Sequence, residues 1–349
     1  MSLMDDQSVY SASKDTVGAS DPLPAAVAAT GPIAEPRTQP TNQEVSERIA
    51  HQDSSPQHSH HHLSAPLAPV RVAGGRLRDD VRAATIVWRR ELIRFFRNRL
   101  RIFTSLAQPI LFLFVLGTGL SSMVSASFAK GHSIDFRTFM FPGVVGMTVL
   151  FTAIFSAVSI VWDREFGFLR EMLVAPVRRG ALVAGKCLGG ATVATLQAFI
   201  MLALAGLVHV PYSPVLMLTL VGETALTAFL LTAVGIVMAA RISQVESFQV
   251  VMQFVVLPMF FLSGALFPLQ GLPTWLASLT KIDPVSYAVD PMRRAVFEHV
   301  SAPAVLAHRF AAPMTWNGWV LPVGLELGLV AALGLVMLAF AVVQFSRQD

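Results

Sequence analysis

Six long apolar runs dominate this chain, at about 102–121, 139–161, 187–209, 215–240, 248–267 and 319–345. Each is close to the roughly 20 helical residues needed to cross a hydrocarbon core of about 30 Å. None alternates polar and apolar residues with the period of a barrel strand, so all six are expected as helices. Composition agrees. Charged residues make up 14% of the 349 and hydrophobic ones 54%, whereas a soluble domain carries about 25% charged residues. A chain this poor in charge cannot cover an ordinary core with polar surface, which argues against a cytosolic enzyme. The single cysteine, Cys187, excludes an internal disulfide and any multi-cysteine metal site.

Three domains are expected. Residues 1–70 read as a disordered cytoplasmic tail: eight prolines fall between Pro22 and Pro69, and no apolar run is long enough to offset the entropy of ordering. The stretch Ala25 to Ala29 is too short for the apolar region of a secretory signal. His58, His60, His61 and His62 form a small cluster there, open to reading as a weak metal site or as part of a polar tail; no metal site is assigned. Residues 71–101 read as an amphipathic interfacial helix. At about 100° per residue, Val81, Ala84, Trp88, Leu92 and Phe95 share one face, opposite Arg90, Arg94, Arg97 and Arg101. Such a helix suits the layer between water and acidic lipid. Residues 102–349 then form the six-span transmembrane domain.

Lysine and arginine set the expected orientation. With a cytoplasmic N-terminus, the inner segments hold seventeen of them, ten in 71–101 alone, and the outer segments six. This positive-inside bias places both termini in the cytoplasm.

The loop after the second run carries the most informative pattern, DREFGFLREMLVAPVRR at 163–179. Charges alternate with large apolar residues until Pro176 stops the run. A short helix here places Phe166, Leu169 and Leu173 on one side, leaving Asp163, Arg164, Glu165, Arg170 and Glu171 as charges for a partner, with Gly167 permitting a tight backbone. An apolar face on an aqueous loop has to be buried, in the headgroup layer or in a partner's groove. This string resembles the signature of ABC-2 type permeases, the membrane subunits of one class of ATP-binding-cassette exporters. Two more stretches agree: FLSGALFP at 261–268 followed by Leu272 to Leu276, and DPVSYAVD at 283–290 followed by Arg293. The overall pattern is most similar to the daunorubicin-resistance type of drug or lipid exporter.

The resemblance implies an all-α bacterial cell-membrane protein with a cytoplasmic coupling helix at 163–176 and an external re-entrant segment before the last span. It implies a separate ATPase subunit that binds ATP and magnesium, a second permease chain, and no cofactor on this chain. Membrane lipid is an expected partner and nucleic acid is not. Gly180 to Cys187 nearly matches the phosphate loop G-x-x-x-x-G-K-[ST], but Cys187 lacks the hydroxyl that ligates magnesium. Lys186 is therefore expected at the lipid headgroups, and Gly185 and Gly189 at a close helix approach. Glu223 and Glu326 fall inside spans four and six, and Gln253 in span five. Ionisable groups there are costly. Two readings stay open for them: a substrate route for an amphiphilic or cationic cargo, or polar contacts between helices. A rival for the whole chain is an ion-coupled secondary transporter with Glu223 and Glu326 as proton carriers, although no internal repeat supports it.

Overall fold

The computed structural model describes residues 77–121, 136–167, 178–269, 271–300, 313–316 and 318–347. The expected tail at 1–70 and most of the coupling segment, from 168 to 177, lie outside the described residues. The fold is almost wholly helical, with one two-stranded antiparallel hairpin.

Helix α1 spans Leu77–Arg97 and α2 spans Arg99–Leu111. Asn98 separates them, its side chain accepting a hydrogen bond from the Arg101 amide at 3.1 Å as a helix cap. The interfacial helix expected over 71–101 therefore ends four residues early, at Arg97. Pro109 lies inside α2 and cannot donate to the carbonyl one turn back. A wide π turn follows at once, at Phe112–Leu116, and the helix continues to Ser121. Helices α3 (Phe136–Ser156) and α4 (Val158–Glu165) form one span with a break at Ala157. Helix α5 is Arg179–Leu202, α6 is Pro214–Ala239 with proline at its start, and α7 is Val245–Leu262. Two shorter helices follow, α8 (Thr274–Ile282) and α9 (Ser286–His299). The strands β1 (Thr315–Trp316) and β2 (Trp319–Val320) then lead to α10, Val323–Ser346.

Among the described residues, six helical segments are long and apolar enough to cross a membrane. The third begins eight residues before the sequence expectation, at Arg179 instead of 187. The span of α3 and α4 is the innermost, with 78% of its most apolar stretch buried against 22% in α2, α7 and α10. Its glycines explain the enclosure. A Cβ on Gly143 would sit 2.4 Å from the Ala265 backbone, and one on Gly146 would sit 2.8 Å from Val289 of α9. Helix α9 therefore packs into the bundle, on α3, α6 and α10, with Tyr287, Val289, Met292 and Val296 buried.

Helix α1 packs chiefly on α5. Added Cβ atoms at Gly185 and Gly189 would come within 2.6 Å of the Ala84 carbonyl and 2.9 Å of Glu91. The close approach expected of these glycines is real, and the partner is α1. The apolar residues of α1 are split as a result. Ala84, Trp88, Leu92 and Phe95 are half-buried, and the Trp88 indole donates to Thr192 of α5 at 3.0 Å. Val81, Ile86, Ile93 and Phe96 are exposed among arginines. The single apolar face expected from periodicity is thus spent largely on α5, without Val81, and a second mixed face of isoleucine, phenylalanine and arginine points outward.

Candidate functional site

Two polar clusters lie in the bundle, one beside α1 and the other beside α9. The first gathers where α4 ends. Asp163 is 5% exposed and accepts from Lys186 Nζ at 2.7 Å and from Arg90 at 3.4 Å. Lys186 also reaches Ser159 at 3.1 Å and Glu91 at 3.6 Å, and Arg94 lies 3.5 Å from Glu91. The sequence reading placed Asp163 toward a partner and Lys186 at the headgroups. In the structure both face inward and neutralise each other, because two charges leaving water together cost less than either alone.

The next two residues grip other helix ends. Arg164 donates to the carbonyls of Ala240 and Ile242, at 2.8 and 3.2 Å, where α6 ends. Glu165 accepts from the Val245 amide at 3.0 Å, at the first residue of α7. Each charge complements the partial charge of the terminus it meets. Arg179 does the same for α10, donating to the Phe345 carbonyl at 3.1 Å. Phe166 is 69% exposed, and Gly167 takes the positive φ of +79° that ends the helix. Leu169, Arg170, Glu171, Leu173 and Pro176 lie outside the described residues. Of the α1 arginines, Arg90 and Arg94 join the cluster while Arg97 is exposed.

The second cluster centres on Arg294, one of the six cations counted in the outer segments. It donates to Glu326 at 2.7 Å, to the Leu321 carbonyl at 2.9 Å, and to Asp290. Asp290 also accepts from the Met314 amide at 3.1 Å. One guanidinium thereby ties α9, the hairpin exit and α10 together. Glu326 is wholly buried, and one oxygen each of Glu326, Asp290 and Glu223 has no hydrogen-bond partner among the described residues. Neighbouring Arg293 is also buried, lies 4.7 Å over the Phe139 ring and donates to the Gly264 carbonyl. Burial lowers its pKa to about 10, against the opposing pull of Asp290. Asp283, before α9, is raised to about 7 by burial, although the Val285 amide and Ser286 hydroxyl both donate to it.

The structure does not join the three in-span candidates into one site. Glu326 belongs to the Arg294 cluster, Glu223 is buried on α6, and Gln253 is exposed on α7. A signal for Arg294 was present in the sequence. Two adjacent arginines stand in the segment that the charge count left poor in cations, and such a pair there has a reason to be held by carboxylates.

Residues 82–297 match the family model described as ABC-2 type transporter. The chain is similar to nodulation protein J of Rhizobium leguminosarum bv. trifolii, with 29% identity over 217 residues, 61% of this chain and 80% of that protein. The inner membrane transport permease YadH of Escherichia coli (strain K12) is 24% identical over 208 residues, 59% of this chain and 80% of its own length. The probable multidrug ABC transporter permease YbhR of the same strain is 28% identical over 179 residues, covering 48% and 46%. The family match runs from α1 into α9 and takes in the whole cluster around Asp163. Six apolar helices and a family match over most of its length make this chain a multi-pass membrane protein that belongs to the ABC-2 type transporter family.

Proposed function

We propose that the chain is the permease subunit of an ATP-binding-cassette exporter that moves a hydrophobic or amphiphilic compound, drug-like or lipid, out of the cytoplasm. A separate ATPase subunit binds ATP and magnesium and supplies the energy, and this chain binds no nucleotide itself. Two permease chains, identical or closely related, pair to form the route. Both termini face the cytoplasm, with α1 in the headgroup layer and α8 and α9 on the outer side. The outward face of α1 suits that layer, since isoleucine and phenylalanine there sit among arginines. Gln253 suits the route, since an exposed amide on a spanning helix needs a polar partner.

The observation that carries the reading is the end of α4. There an exposed Phe166 begins a loop whose preceding three residues hold α5, α6 and α7. A large apolar side chain on such a loop fits a groove in the ATPase, and the three charges behind it pass a pull to the bundle. Two variants separate these tasks. Phe166→Ser with Glu171→Arg is expected to release the ATPase from the purified complex. Glu165→Gln is expected to keep the ATPase bound while ATP-driven export from proteoliposomes falls several-fold. Normal export with bound ATPase in the first variant would overturn the docking assignment.

A further inference from the structure

Helices α1 to α5, with Gln249 of α7, line a partly open cavity of about 460 Å³, within the size range of small-molecule sites. Its wall has two characters. Phe95, Pro109, Phe151 and Phe155 supply an apolar side. Arg94, Arg101, Asn98, Gln108 and Gln249 supply a polar one. The charges on this wall are unequal. Among the described residues Glu91 is the only carboxylate lining it, and it already meets Arg94 at 3.5 Å and Lys186 at 3.6 Å. Among the described residues the Arg101 guanidinium makes one long hydrogen bond, 3.5 Å to the Phe155 carbonyl, and no ion pair. Arg101 is exposed toward the opening and feels Glu91 only at a distance, so its guanidinium stays open to a further anion. The geometry fixes the polar side in place: Gln197 of α5 donates to Ser105 and, at 3.3 Å, to the Ile102 carbonyl, which pins α2 beside Arg101.

We propose that this cavity binds the acidic headgroup of an amphiphile. Arg94 and Arg101 receive the phosphate or carboxylate, and the phenylalanines hold the first part of the apolar body. The cationic cargo considered for Glu223 and Glu326 has no counterpart here; the polar contacts of this cavity select the opposite charge. Two sources supply this chemistry: an acidic phospholipid kept as a resident of the bundle, or an acidic amphiphile on its way out. Only the second rests on the exporter reading above.

Binding is tested on the purified full chain with its ATPase in neutral detergent. Dioctanoyl phosphatidic acid and dioctanoyl phosphatidylcholine are titrated against tryptophan fluorescence. Trp162 lines the cavity, so the signal should vanish in Trp162→Phe. Phosphatidic acid is expected to bind at least tenfold tighter than phosphatidylcholine. Arg94→Gln with Arg101→Gln should erase that preference, and Arg94→Lys with Arg101→Lys should retain part of it. Thr152→Phe, which narrows the cavity without touching a charge, should weaken both lipids. Absence of a preference in the native chain, or an unchanged preference in the double glutamine variant, overturns the proposal. In proteoliposomes, ATP-driven loss of fluorescent phosphatidic acid from the inner leaflet identifies cargo. Tight binding without ATP-driven movement identifies a resident lipid. In that case the headgroup assignment stands, and the exporter reading is judged by neutral amphiphiles alone.

Discussion

The clusters around Asp163 and Arg294 solve the same problem differently. Beside α1, Lys186 and Arg90 serve Asp163, while Ser159 accepts from Lys186 and donates to Glu91. Beside α9, one guanidinium serves two carboxylates, and both keep an oxygen without a partner among the described residues. Cations are plentiful in the first cluster and scarce in the second. Deleting one charged partner should therefore be buffered beside α1 and costly beside α9, because an uncompensated buried charge is the expensive outcome.

Arg294→Met offers the strongest test of that contrast. It leaves Glu326 without its cation and Asp290 with only the more distant, buried Arg293, and a loss of about 3–5 kcal/mol is expected, read as a large drop in the thermal midpoint of the purified complex. Adding Glu326→Gln should recover much of the loss. A single variant as stable as the native chain would mean that the two carboxylates are already neutral. Asp163→Asn should cost less, about 1–3 kcal/mol, since Glu91 remains for Lys186 at 3.6 Å. Its effect should be local. Hydrogen exchange is expected to speed up in 77–97 and not in 286–299, and equal acceleration in both would erase the distinction drawn here.

The smallest effect concerns Asp283, a carboxyl beside α9 held by neutral donors alone. Its pKa is raised from 3.8 to about 7 by burial, so the folded chain keeps a proton that the unfolded chain releases. That contribution to stability is complete below about pH 4 and is lost as pH rises through about 7. The native complex should lose thermal stability across this window more steeply than Asp283→Asn. Parallel pH curves would place the ionised carboxylate in the folded state.

All six spans were legible from the sequence, because twenty consecutive apolar residues leave few alternatives to a membrane helix. What stayed hidden depends on partners far along the chain. The start of α5 was placed late because Arg179 and Lys186 read as the end of a polar loop. Both belong to the helix, Arg179 bonded to the α10 terminus and Lys186 to Asp163. The apolar face of α1 was visible, but periodicity does not say whether lipid or α5 covers it; glycines 185 and 189 on the other helix decide that. Glu326 drew attention as a charge inside a span. Its partner Arg294 sits 32 residues earlier, on a helix whose burial is set by Gly146 and Val289.

The break at Ala157 has a mechanical meaning. Around it the hydrogen bonds tighten to Ala157 with Ile154 and Ile160 with Ala157, so the regular ladder is interrupted between an enclosed α3 and an eight-residue α4. Eight residues extend about 12 Å at 1.5 Å each, which makes α4 a crank mounted on a fixed shaft. A tilt of about 10° at Ala157 sweeps its far end by about 2 Å over that length. The far end carries Asp163, Arg164 and Glu165, each fastened to a different helix. One small swivel therefore becomes three simultaneous displacements, whose ratio is set by where the three side chains attach along the arm.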